Sequence, residues 1–150
     1  MSNDSVITAI KAHHDELARQ LRDRVARVAR DASTGDVASE RGELERWCHE
    51  ELLPHAVAEE RTLYDAAGRL EPTRLLIRAM IAEHRALDAL IGDLAAGDAV
   101  RIAGVAASIE ALFQVHLGKE NDLMLPALDA AGADLDALLA GMHDLLGEHE

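Results

Sequence analysis

Apolar residues recur at steps of three and four along four long stretches of the chain. In the first, Ile7, Ile10, Leu17, Leu21, Val25 and Val28 share one helical face, and His14 falls in the same row. The second row is Leu44, Cys48, Leu52, His55, Glu59, Leu63 and Ala66. The third is Ile77, Met80, His84, Leu87, Ile91 and Leu94, and the fourth runs from Val105 through Ile109, Phe113, His116, Glu120 and Met124 to Ala127. Turn-forming residues at 33–36, 68–72 and 97–98 separate the four stretches, and a weaker break at 132–134 sets off a tail. That tail carries Leu135, Leu138, Leu139, Met142, Leu145 and Leu146, again at helical spacing.

Short connections between long helices make neighbours antiparallel. The expected fold is therefore all-α, an up-down-up-down antiparallel four-helix bundle over about residues 5–130. A short amphipathic fifth helix follows over about 134–148, and must cover the bundle or meet a second chain or protein partner. Asp36 and Asp98 are expected N-caps, and Pro72 suits a first helical position. Pro54 and Pro126 lie inside helical rows whose phase continues past them, so bent helices are expected there.

Composition narrows the class. A chain of 150 residues suits one domain, 1–150. Aromatic residues are only 2%, which favours a helical core over strands. A net charge of −13 argues against nucleic acid and anionic membranes as partners. Uninterrupted apolar runs are only a few residues long, so no membrane span is expected. With Cys48 as the single cysteine and no signal-peptide pattern at the start, a cytoplasmic location is expected.

The polar residues inside the four rows carry the chemistry. His14 and His84 interrupt the first and third rows; His55 with Glu59, and His116 with Glu120, interrupt the second and fourth. Four residues of separation put His and Glu on one helix face, one turn apart. The chain thus repeats a hairpin of the form H … HxxxE, with the first histidines 70 residues apart and the second 61 apart. Counting helical rise from the turns sets His14 level with His55, and His55 level with His84, within about 2 Å. His84 and His116 fit less well, with an expected offset of ~7–8 Å.

Six ionisable groups buried at one level are costly unless something pairs them. Two metal ions do so: each carboxylate gives one oxygen to each ion, and the imidazoles divide two and two. A bridging oxo or hydroxo group adds a fifth donor and leaves a position open. Mixed imidazole and carboxylate donors without thiolate suit iron or manganese. No glutamate has a histidine three residues later, which disfavours the Glu-x-x-His centres of ferritin-like bundles.

The order H … HxxxE … H … HxxxE on four helices resembles the hemerythrin-like family, the HHE cation-binding domain. Local runs agree: His14-Asp15-Glu16-Leu17, Glu83-His84, and the segment from His116 to Pro126. The resemblance implies two iron ions, with His14, His55, His84 and His116 as terminal ligands and Glu59 and Glu120 as bridges. Oxygen-storage hemerythrins carry a fifth histidine four residues after the third-helix one. Here that position is Asp88, so the chain matches a four-His, two-Glu subgroup, which argues against reversible dioxygen carriage. The implied function is binding of, or reaction with, dioxygen, nitric oxide or peroxide, in oxygen, redox or iron sensing or buffering. The alternatives are a catalase-like enzyme that decomposes hydrogen peroxide or another oxidase-type enzyme, a metal-dependent sensor acting through a partner, and a metal-free structural bundle.

The remaining polar residues have plainer expectations. His13, His49, His143 and His149 are expected in solvent, and Glu60 and Asn121 to face sideways towards it. Asp88 shares the His84 face, where partial exposure competes with a bond to a ligand imidazole or to the metal itself. Cys48 and Thr62 are expected to pack. Tyr64, about nine residues beyond His55 and so about 180° away, is expected outside the central seam.

Overall fold

The computed structural model describes residues 1–147. The first helix, α1, is Asn3–Ala32, and its N-cap is Ser2, whose hydroxyl accepts the Ser5 N–H. Helix α2 covers residues 38–68 without a break. A single 3₁₀ turn, Glu71–Thr73, contains Pro72 and leads into α3, Arg74–Asp93. Helix α4 is Ala99–Ala130 and α5 is Leu135–Leu146. No strand occurs among the described residues. The His149 expectation falls outside them.

The caps follow the side chains. Asp98 accepts the Arg101 N–H at 2.8 Å, as expected, and Asp134 accepts that of Ala137 at 3.1 Å. At the start of α2 the cap position is Val37, one residue later than expected, and Asp36 instead accepts the Ala38 N–H at 3.3 Å.

Both internal prolines are absorbed by widened turns, so the helices continue past them. The Leu53 N–H bonds the Cys48 carbonyl five residues back, and the Leu125 N–H bonds that of Glu120 in the same way. Each wide turn, Cys48–Leu52 and Glu120–Met124, ends two residues before a proline, which has no N–H of its own to give. A third wide turn, Glu60–Tyr64, has no proline after it. An extra residue in a turn rotates everything beyond it by about 100°. Adjacent buried pairs appear where that happens: Trp47 with Cys48, Leu63 with Tyr64, Met124 with Leu125.

The core has two parts. Leu17, Leu21, Leu44, Trp47, Ile91, Ile109 and Phe113 belong to one. Val6, Ile10, Leu63, Met80, Met124 and Leu128 belong to the other, together with Leu135 and Met142 of α5. The fifth helix therefore covers one end of the bundle. Helix α4 is long and apolar enough to cross a membrane by composition alone. Here its apolar residues enter the core, with Ile102, Ile109, Met124 and Leu128 at most 1% exposed. The α3–α4 connection is held by Arg41, whose guanidinium donates to the carbonyls of Leu94 and Ala95.

Candidate metal centre

His14 lies on α1 between Ile10 and Leu17, and His84 lies on α3 between Met80 and Leu87. The row of polar residues thus falls where the two core clusters meet. His14, His55, Glu59, His84, His116 and Glu120 are all buried, none more than 7% exposed. The expected offset in height between His84 and His116 does not part them; their ring centroids are 4.5 Å apart.

The six residues converge through their outer atoms. The Nε2 of His14 is 3.4 Å from Glu59 Oε2 and 3.7 Å from Glu120 Oε2. The Nε2 of His55 is 3.3 Å from the same Glu59 oxygen. On the other side, His84 Nε2 is 3.9 Å from Glu59 Oε1, and His116 Nε2 is 3.2 Å from Glu120 Oε1. Each carboxylate thus turns one oxygen to the His14 side and the other to the His84–His116 side. Two groups with metal-ligand geometry result, His14–His55–Glu59 and Glu59–His84–His116, with Glu59 in both.

Several of these atoms have no hydrogen-bond partner within the protein: His14 Nε2, Glu59 Oε2 and both oxygens of Glu120. Buried polar atoms are nearly always paired, because an unpaired one costs about 1–3 kcal/mol. Donors sharing a first-row ion at about 2.1 Å stand about 3 Å apart, close to the spacings here. The cluster has the donor set and the unmet demand of a cation site.

Electrostatics without a cation tells the same story. Burial drives Glu59 towards its neutral form, but the nearby His55, Glu120 and His14 outweigh it and hold its pKa well below the usual range. Burial and the charge on Glu59 push Glu120 well above that range. Of the two carboxyls, Glu59 is thus the readier to carry charge and Glu120 the readier to hold a proton. Burial also lowers His84 to about 4 and lowers His116, so both imidazoles are neutral at pH 7 and have a lone pair to give.

The surrounding groups orient the rings. The Nδ1–H of His14 donates to Asn121 Oδ1 at 2.7 Å, and that of His116 donates to Glu83 Oε1 at 3.0 Å. Both bonds leave the Nε2 lone pair facing the cluster. Lys119 donates to the other Glu83 oxygen at 2.6 Å; burial favours a neutral Glu83, but these two partners keep its pKa low. Glu60 Oε1 is 3.8 Å from His84 Nδ1, the place in the second hairpin that Asn121 takes at His14. Asn121 and Glu60 each follow a candidate bridge by one residue, and Asn121 contacts the site where sequence reading set it aside. Asp88 is exposed and takes no part, and His49 is exposed as expected. Cys48 is buried, and burial raises its thiol to about 12.

Tyr64 is the main correction. It is 1% exposed, its ring stacks on His84 with centroids 5.1 Å apart, and its hydroxyl donates to His116 Nε2 at 2.7 Å. The same oxygen is 3.3 Å from His84 Nε2. A regular helix puts Tyr64 opposite His55, but the wide turn Glu60–Tyr64 rotates it into the seam. Its one signal in the sequence was that it is the chain's single tyrosine.

The model of the hemerythrin HHE cation binding domain matches residues 5–128 of the chain. No curated protein and no solved structure matches it.

Proposed function

The chain belongs to the hemerythrin HHE cation-binding family, and we propose that it holds two iron ions that bind or react with dioxygen, nitric oxide or peroxide. The observation that carries this reading is the split of two buried carboxylates between two imidazole pairs, with three of their four oxygens unmet inside the protein. His14 and His55 would hold one ion, His84 and His116 the other, and Glu59 and Glu120 would bridge. Iron fits this donor set better than a soft metal because no thiolate is present; manganese is the nearest competitor. When bound, such a pair supplies one-electron redox steps and an open position for a small ligand.

The chain's own residues prepare that chemistry. Asn121 and Glu83 fix the tautomers of His14 and His116. The apolar clusters on either side exclude water, which strengthens every charge interaction within the seam. Tyr64 places its oxygen where His84 and His116 converge, and it would be a fifth protein donor to an ion held on that side. Loading the anaerobic protein with ferrous iron, then admitting air, tests the reading. About two irons per chain and a near-ultraviolet band that reduction removes are expected. A single ion bound per chain at saturating iron excludes the bridged pair.

A further inference from the structure

The seam is closed by packed helices on most sides, but His55 borders open space between α1 and α5. Between α1 and α5 lies a cavity of about 130 Å³, walled by Ala9, Ile10, Leu139, Met142 and Leu146 and by three histidines, His55 among them. His55 also lines a small cleft with Glu59 and His84, so this one residue borders both the cavity and the cluster. On the outer side, a cleft of about 250 Å³ shares His13, His55 and Leu146 with the cavity and is rimmed by Glu50 and Glu51.

We propose that this α1–α5 cavity is the chamber by which a small uncharged molecule enters and reaches the cluster past His55. The proposal rests on the iron reading for the molecule's destination. Size, lining and rim each select the same class. An apolar cavity of about 150 Å³ in another protein stays dry and takes benzene or xenon, so a diatomic gas or peroxide fits here easily. Five of the eight wall residues are apolar, and an ion entering gives up hydration that three imidazoles replace only in part. Glu50 and Glu51 at the mouth, on a chain of net charge −13, repel anions such as superoxide. Nitric oxide, dioxygen and neutral hydrogen peroxide pass all three filters. The chamber exists only because α5 lies against α1; four of its wall residues, Leu139, Met142, His143 and Leu146, come from α5.

Xenon reports on the chamber without iron chemistry, and nitric oxide reports on the route. In the full chain, dissolved xenon should shift the methyl resonances of Ile10, Leu139 and Met142 saturably. Leu139→Trp, which fills the space, should abolish that saturable shift. In the iron-loaded protein the same substitution should slow nitric oxide association by about tenfold or more while leaving iron content unchanged. Ala9→Leu is the second variant; Ala9 is exposed at the edge of α1 and tolerates a larger side chain, and it should slow association in the same direction. Wild-type association rates in both variants at full iron content overturn the route and leave the iron centre standing. A chain that never retains iron removes the centre instead, and xenon then decides the chamber: no saturable shift means there is none.

Discussion

The phenolic oxygen of Tyr64 lies 2.7 Å from Nε2 of His116, between two imidazoles that both aim at it. The Nδ1–H of His116 is already given to Glu83, so its Nε2 is an acceptor and the phenol is the donor. A cation entering this side meets the phenol oxygen in a position to ligate once its proton leaves. Ferric protein should then show a visible phenolate-to-iron charge-transfer band, and Tyr64→Phe should lose it while keeping its iron. A wild-type spectrum without that band, unchanged by the substitution, removes Tyr64 from the donor set.

The bridges should matter more than any single imidazole. Glu59→Ala or Glu120→Ala removes a donor from both ions, so loss of the whole pair is expected. His14→Ala leaves its side with Glu59, Glu120 and His55 and should retain a weakened centre. Metal analysis of the three purified variants decides; equal iron in all three contradicts the bridging roles.

Glu83 and Asn121 act through the rings they hold. Truncating either to Ala frees a ligand imidazole to turn, and iron affinity should fall about 10–100-fold. The effects should separate: Glu83→Ala weakens the ion beside His116, and Asn121→Ala the ion beside His14. Competition against a chelator, read as two binding steps, measures each. A single uniform loss for both variants would contradict that separation.

Glu120 predicts an opposition between metal binding and bare stability. Its folded pKa is raised above 4.5 by burial and by the charge on Glu59. The metal-free fold thus takes up a proton that the unfolded chain has lost, and stability falls as pH rises above that value. His84 works in the other direction. Its folded pKa of about 4 lies below the usual 6.5, so its contribution is full above 6.5 and fades as pH drops to about 4. Glu120→Gln keeps the shape and removes the alkaline loss. The apoprotein of this variant should be more stable than wild type at pH 8, yet bind no iron pair. Denaturant unfolding of both apoproteins at pH 8 tests the sign.

Iron loading should release protons, because a bridging Glu120 cannot keep its own. A proton is expected from Glu120 wherever the metal-free fold still holds it, and a further one from Tyr64 if its oxygen ligates. Calorimetry in buffers of different ionisation enthalpy counts them. Tyr64→Phe should release about one fewer than wild type; an identical count in both places the phenol outside the coordination shell.

The sequence by itself determined the helices and six of the groups in the seam. Period and burial are coupled there: a polar residue in an apolar row, as at His14 or His84, must go inward whatever the details of packing. The paired spacing of His55 with Glu59 and of His116 with Glu120 fixed which side chains share a face, because the α-helix has one geometry. Only the tertiary structure decided the rest. Wide turns at 60–64 and 120–124 change the helical phase, and hydrogen bonds five residues apart leave no periodic mark in the chain. Tyr64 was therefore assigned to the wrong face. Asn121 and Glu83 join the site through distances between helices, 2.7 Å to His14 and 3.0 Å to His116, across 107 and 33 residues of chain. Whether α5 covers its own bundle was also settled by packing, since an amphipathic helix demands an apolar partner and does not specify which.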